Sequence, residues 1–140
     1  MRIAEWTDDL ALGIDQIDAD HANLLRIVRD IDAALASSTT PPDIHDRIVH
    51  LFRFADEHFN REDTLMDRLP QAKYQDHIDS HRRLHMAFLS RLAGLSNRTL
   101  DGSALHEQTA GTGALLAELV LEMVSVDRVM VDHLVAEGVI

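Results

Sequence analysis

Four stretches of this sequence carry apolar residues three or four positions apart, and each stretch is closed by a proline, a glycine or a run of small polar residues. That spacing is helical, because side chains three or four apart leave one face of a helix. A chain written this way must bury four apolar stripes, and short connections make consecutive helices antiparallel neighbours. The expected fold is all-α: an up-down-up-down antiparallel four-helix bundle with an N-terminal extended arm. One domain is expected over residues 1–140.

The arm covers residues 1–17, where no helical period is long enough to name a helix. Its Trp6, Leu10, Leu12, Ile14 and Ile17 are placed to lie on a core. The first helix is predicted over about 18–36, with His21, Leu24, Leu25, Val28, Ile31, Ala34 and Leu35 on its inner face. "ASSTTPPD" ends it, since two prolines and small polar residues stop a helix. A second helix follows over about 41–68, with Thr40 as N-cap and Pro41 at the first helical position. Its inner side reads Ile44, Ile48, Leu51, Phe52, Ala55, Phe59, Glu62 and Met66. After Pro70, a third runs over about 71–95, with Tyr74, His77, Ile78, His81, Leu84, Phe88, Leu89 and Leu92 inward. "SNRTLDG" reads as a loop. The fourth helix is expected over about 103–137, with Gly138 beyond its end.

Composition removes several function classes. The formal net charge of -11 argues against nucleic acid or an anionic membrane as the main partner, since both call for a basic patch. The absence of cysteine excludes disulfides, thiolate metal sites and a cysteine nucleophile. The N-terminus shows no apolar segment of a signal peptide, and no run approaches the ~20 residues of a membrane span. The expectation is a cytoplasmic protein, a monomer or weak oligomer.

What remains unusual is polar chemistry on the inner faces. His58 and Glu62 are four apart on the second helix, and His77 and His81 are four apart on the third. His21 lies early in the first. In an antiparallel bundle, early in helix one meets late in helix two, which meets early in helix three. These five groups therefore share one level. The fourth helix should bring its late residues there, and "LLAELVLEMVSVDRVMV" carries Glu118, Glu122 and Asp127 in an otherwise apolar segment. A carboxylate buried without a partner is costly, and a cation removes that cost. Nitrogen and oxygen donors without sulfur suit iron, manganese or zinc. So many groups exceed the needs of one ion, and two ions bridged by carboxylates account for them better.

These motifs resemble the bacterial hemerythrins, a family of non-haem diiron proteins that bind dioxygen. The likeness runs through Trp6 and "LGIDQIDADH" (12–21), "HFNRED" (58–63), and Tyr74 with "HIDSH" (77–81). It implies two iron ions joined by an oxo or hydroxo bridge. His21 and His58 resemble the ligands of the iron that keeps an open position. His77 and His81 resemble two of the three terminal ligands of the other, and Glu62 and Asp127 the bridging carboxylates. The departure is in the fourth helix. There the family has a Trp, a His four later and an Asp five after that, whereas this chain has Glu118, Glu122 and Asp127. Glu122 is thus expected as the substituted ligand, adding a negative charge that favours ferric over ferrous iron. Glu118 is left as a ligand, a partner for a ligand histidine or a pocket acid.

His85, one turn beyond His81, could extend the row of ligands, but reads first as a solvated residue or a partner of the ligands. His45, His50, His106 and His133 read as surface, and Phe52, Phe54, Phe59 and Phe88 as core. The function implied is storage, delivery or sensing of dioxygen. The alternatives are a diiron peroxidase or oxidase, a sensor of nitric oxide, peroxide or redox state, and a bundle that holds zinc or has lost its iron chemistry.

Overall fold

A computed structural model describes residues 6–37, 41–100 and 112–140. Among these, the chain forms a single 3-10 turn at Asp8–Leu10 and four helices: α1 (Asp15–Ala36), α2 (Pro41–Met66), α3 (Gln71–Leu100) and α4 (Thr112–Ala136). The four helices pack as an antiparallel bundle, with α1 against both α2 and α4, and α2 against α3. No described helix is long and apolar enough to cross a membrane.

The helix ends follow from local chemistry. The first helix begins at Asp15, earlier than the periodicity predicts, because the arm is tied to its opening turn. Gly13 turns the chain with φ +93°, and the Asp18 carboxylate accepts the N–H groups of Leu12 (2.7 Å) and Gly13 (3.1 Å). Acidic Asp15 and Asp18 also suit the positive end of the helix dipole. At the α2–α3 corner the Gln71 side-chain amide donates to the carbonyls of Met66 (3.0 Å) and Leu69 (2.8 Å). The Met66 carbonyl also accepts the Leu69 N–H (3.0 Å), so both bonds close the end of α2. The chain leaves α4 through Gly138 at φ +69°, with Gly138 N–H on Val135 O and Val139 N–H on Leu134 O. This paired closure is the glycine-terminated stop expected from the sequence. The third helix extends to Leu100, past its predicted end. Residues 103–111, expected in the fourth helix, lie outside the described residues.

Two apolar clusters fill the bundle. The larger includes Leu24, Val28, Ile48, Leu51, Phe59, Phe88, Leu92, Val120 and Met123, with Trp6 and Leu10 of the arm packed against it. The smaller contains Met66, Leu69, Tyr74, Ile78, Met130, Val131 and Leu134, joined by Leu12, Ile14 and Val139. On α2 and α4 the two clusters are separated by a stretch in which the buried side chains are polar. Glu62 lies between Phe59 and Met66, with His58 just before Phe59, and Asp127 lies between Val124 and Met130. That stretch is the level at which the sequence places its histidines and carboxylates.

Candidate metal centre

Antiparallel packing brings His21 from the start of α1, His58 and Glu62 from the end of α2, His81 and His85 from α3, and Asp127 from α4 into one buried layer. Glu62 and Asp127 are fully buried. The polar atoms crowd together. His21 Nε2 lies 2.6 Å from Asp127 Oδ2, and His58 Nε2 lies 3.3 Å from Glu62 Oε2 and 3.6 Å from Asp127 Oδ2. On the other side His81 Nε2 is 2.8 Å from Asp127 Oδ1 and 3.3 Å from Glu62 Oε1, while His85 Nε2 is 2.9 Å from Glu62 Oε1. The contacts define two groups, His21–His58–Glu62–Asp127 and Glu62–His81–His85–Asp127, in each of which the donor atoms lie within 4.8 Å of one another.

The donor set fits bound metal better than a network of hydrogen bonds. Several atoms in the layer are buried without a hydrogen-bond partner: His21 Nδ1, Glu62 Oε2, Asp127 Oδ1 and both nitrogens of His85. Some of these sit at short distances from neighbours, as Asp127 Oδ1 does from His81, yet with no aligned hydrogen between them. Buried polar atoms left this way are unusual in folded proteins, and ions at the convergence point would satisfy Glu62 Oε2, Asp127 Oδ1 and one nitrogen of His85. Two carboxylates, Glu62 and Asp127, are common to both groups.

Without metal, protons stand in for the cations. Burial opposes charge on His58, but the facing carboxylates of Asp127, Asp20 and Glu62 overcome it and raise its pKa to about 11. His81 is raised to about 9, again against burial, by Asp127 and Glu62. Burial resists ionisation of Asp127, but His21, His58 and His81 hold it far below the usual carboxylate range, and Glu62 is lowered by His58, His81 and His85.

One carboxylate of the site has no counterpart in the sequence reading. Asp20, buried beside His21, accepts the His58 Nδ1–H (2.8 Å). Arg61 binds both its oxygens at 2.8 Å, and Gln16 adds a bond of 3.0 Å. Burial raises the Asp20 pKa, yet the His58 and Arg61 hydrogen bonds bring it down to about 2. Asp20 thereby sets the His58 tautomer and aims Nε2 into the layer, the usual job of a carboxylate behind a ligating histidine. Its signal in the sequence was weak: an acidic residue directly before a candidate ligand, whose partners lie about 40 positions away.

Three other expectations change. Glu122 does not join the layer; it lies on the exposed side of α4, as does Glu118. The helix is regular through this segment. Five residues turn it through about 500°, so Glu122 points roughly 140° away from Asp127. The extra anionic ligand and its predicted bias toward ferric iron therefore have no basis in the fold. His77 stands outside both groups: its Nε2 lies 3.2 Å from His81 Nδ1, and its ring packs edge-on to His133 at 4.9 Å. Burial, together with repulsion from His81 and His133, lowers the His77 pKa to about 4 and keeps it neutral. His85, expected to be solvated or peripheral, is 4% exposed and belongs to the second group.

The remaining histidines divide. His50 is exposed, while His45 is half-buried and bonded to Ser96. His133 is half-buried between Tyr74 and His77 rather than on the surface. His106 lies outside the described residues. Phe59 and Phe88 are core, and Phe52 and Phe54 are partly buried against it.

Comparison with known proteins agrees with this geometry. The Hemerythrin HHE cation binding domain matches residues 12–137. A bacteriohemerythrin of Stenotrophomonas maltophilia is 27% identical over 110 residues, 77% of this chain and 67% of the relative. A myohemerythrin of Theromyzon tessulatum is 23% identical over 91 residues, 65% of this chain and 67% of the relative. Myohemerythrin-1 of Phascolopsis gouldii is 28% identical over 90 residues, 64% and 66% of the two chains. No solved structure gives a significant match.

Proposed function

The chain belongs to the hemerythrin family of HHE cation-binding domains, and from that premise we propose that it binds dioxygen at a centre of two non-haem irons. The observation that carries this reading is the pair of overlapping buried donor groups sharing Glu62 and Asp127. His21 and His58 would hold one iron and His81 the other, with Glu62 and Asp127 shared between them. A ferrous pair held there supplies the electrons and the open coordination position that reversible dioxygen binding needs. Nitrogen and carboxylate donors without sulfur are suited to iron.

The chain's own residues set the conditions. Asp20 holds the His58 ring, and Arg61 neutralises Asp20 so that its charge is not added to the site. Apolar clusters on either side exclude water and keep the local dielectric low. Storage, delivery or sensing of dioxygen follows from this reading.

The test is anaerobic reconstitution with ferrous ion, followed by iron analysis and optical spectra as dioxygen is admitted and removed. Two irons per chain and a charge-transfer band that rises and then fades are expected. A protein that retains no iron pair, or shows no band, refutes the reading.

A further inference from the structure

The resemblance to hemerythrins calls for a nitrogen ligand from the fourth helix five residues before Asp127, where this chain has Glu122; the one described histidine of α4, His133, packs against Tyr74 and His77 instead. Among the described residues of α4, the side chains buried on either side of Asp127 are Val120, Met123, Val124, Met130, Val131 and Leu134. Glu122 faces outward. Something else must complete the second donor group if it is to hold an ion as firmly as the first.

The third helix offers His77, His81 and His85, each one turn beyond the last. Two of the three converge. His81 and His85 lie with Glu62 and Asp127 in one group of mutually close donor atoms. His85 is buried, and neither of its nitrogens makes a hydrogen bond, although Nε2 lies 2.9 Å from Glu62 Oε1. Its ring is clamped face to face on Phe59, with centroids 3.8 Å apart and planes within 9°. Stacking of this kind fixes a ring plane at no cost in polar contacts. A buried imidazole with both nitrogens unpaired and its orientation locked toward a carboxylate is placed as a ligand. His77 is placed differently. Its contact is with the far nitrogen of His81, the one pointing away from the layer.

We propose that the second metal is held by His81 and His85 together with Glu62 and Asp127, so that α3 supplies the nitrogen that α4 does not bring to the layer, while His77 orients His81 by accepting its Nδ1–H. The ligand pair has moved one turn along α3 relative to the histidines that the resemblance singles out. This rests on the two-iron reading above and assigns residues within it.

The experiment compares wild type with H85A, H77A and E122Q. Each is loaded anaerobically with ferrous ion, and iron per chain is counted beside the optical spectrum and the rate of loss to a chelator. Wild type and E122Q are expected to hold two irons. H85A should hold one, the iron served by His21 and His58, and added imidazole should restore the second. H77A should keep two but release one of them roughly 10–100-fold more readily, the usual effect of removing a partner behind a ligand. If H85A fails to fold, H85L preserves apolar contact with Phe59 and gives the same count. The proposal is overturned if His85 variants retain two irons with the wild-type spectrum, or if E122Q or H77A loses an iron that H85A keeps. Either result leaves the two-iron reading intact. A wild-type chain that binds no iron pair removes both.

Discussion

Asp20 is the residue whose removal separates support of the site from the site itself. It is 2% exposed, holds His58 through one oxygen and is gripped by Arg61 through both. Asp20→Asn keeps the shape and removes the charge. Burial raises the Asp20 pKa, but hydrogen bonds from His58 and Arg61 bring it from 3.8 to about 2. At ~1.4 kcal/mol per unit, that shift corresponds to about 2–3 kcal/mol of folding stability. Because the folded pKa is depressed, this contribution is present above pH 3.8 and is lost as the pH falls through about 2. Metal-free D20N at pH 7 should therefore melt roughly 5–10 °C below the metal-free wild type, and the gap should close in strong acid. In the loaded protein the same change frees the His58 ring, and affinity for the first iron should fall roughly 10–100-fold. Calorimetry of the metal-free forms and competition with a chelator read the two effects. A variant that melts with the wild type at pH 7 and holds iron equally well would refute the account of Asp20 as both anchor and aligning group.

The other expectations concern protons and packing. Metal-free His58 and His81, with pKa values of about 11 and about 9, are charged at pH 7, so loading two ions should expel about two protons and bind more tightly as pH rises. Zinc titration in weakly buffered solution with an indicator dye measures this, and silence of the dye would contradict it. The same raised values stabilise the metal-free fold fully below about pH 6.5, and that help is lost as pH climbs through about 9 and then about 11. Its melting temperature should decline over that alkaline range, more steeply than that of the loaded protein; parallel curves would be evidence against it. Leu51→Ala opens a cavity in the larger apolar cluster, where Leu51 is fully buried, and should cost about 2–5 kcal/mol in urea unfolding while leaving the iron count unchanged.

The helices and the level of the site were legible in the sequence because both depend on local period. His58 with Glu62 and Asp127 within an apolar run disclose their faces from spacing, and antiparallel order stacks them with His21. The regularity of a helix also excludes Glu122, since an inward Asp127 turns a residue five positions earlier outward. What spacing leaves open is the choice among side chains that share one stripe. His77, His81 and His85 follow one another on α3, and spacing alone does not rank them, although the family resemblance favours the first two. The ranking came from other helices: Phe59 of α2 clamps His85, Glu62 and Asp127 face His81, and His133 of α4 packs against His77. Asp20 was hidden for the same reason, since its meaning lies in His58 and Arg61, 38 and 41 positions away. Periodicity determines which way a residue points, while the donor set of a metal centre is decided by distances of a few ångströms between elements, and those exist only once the bundle has closed.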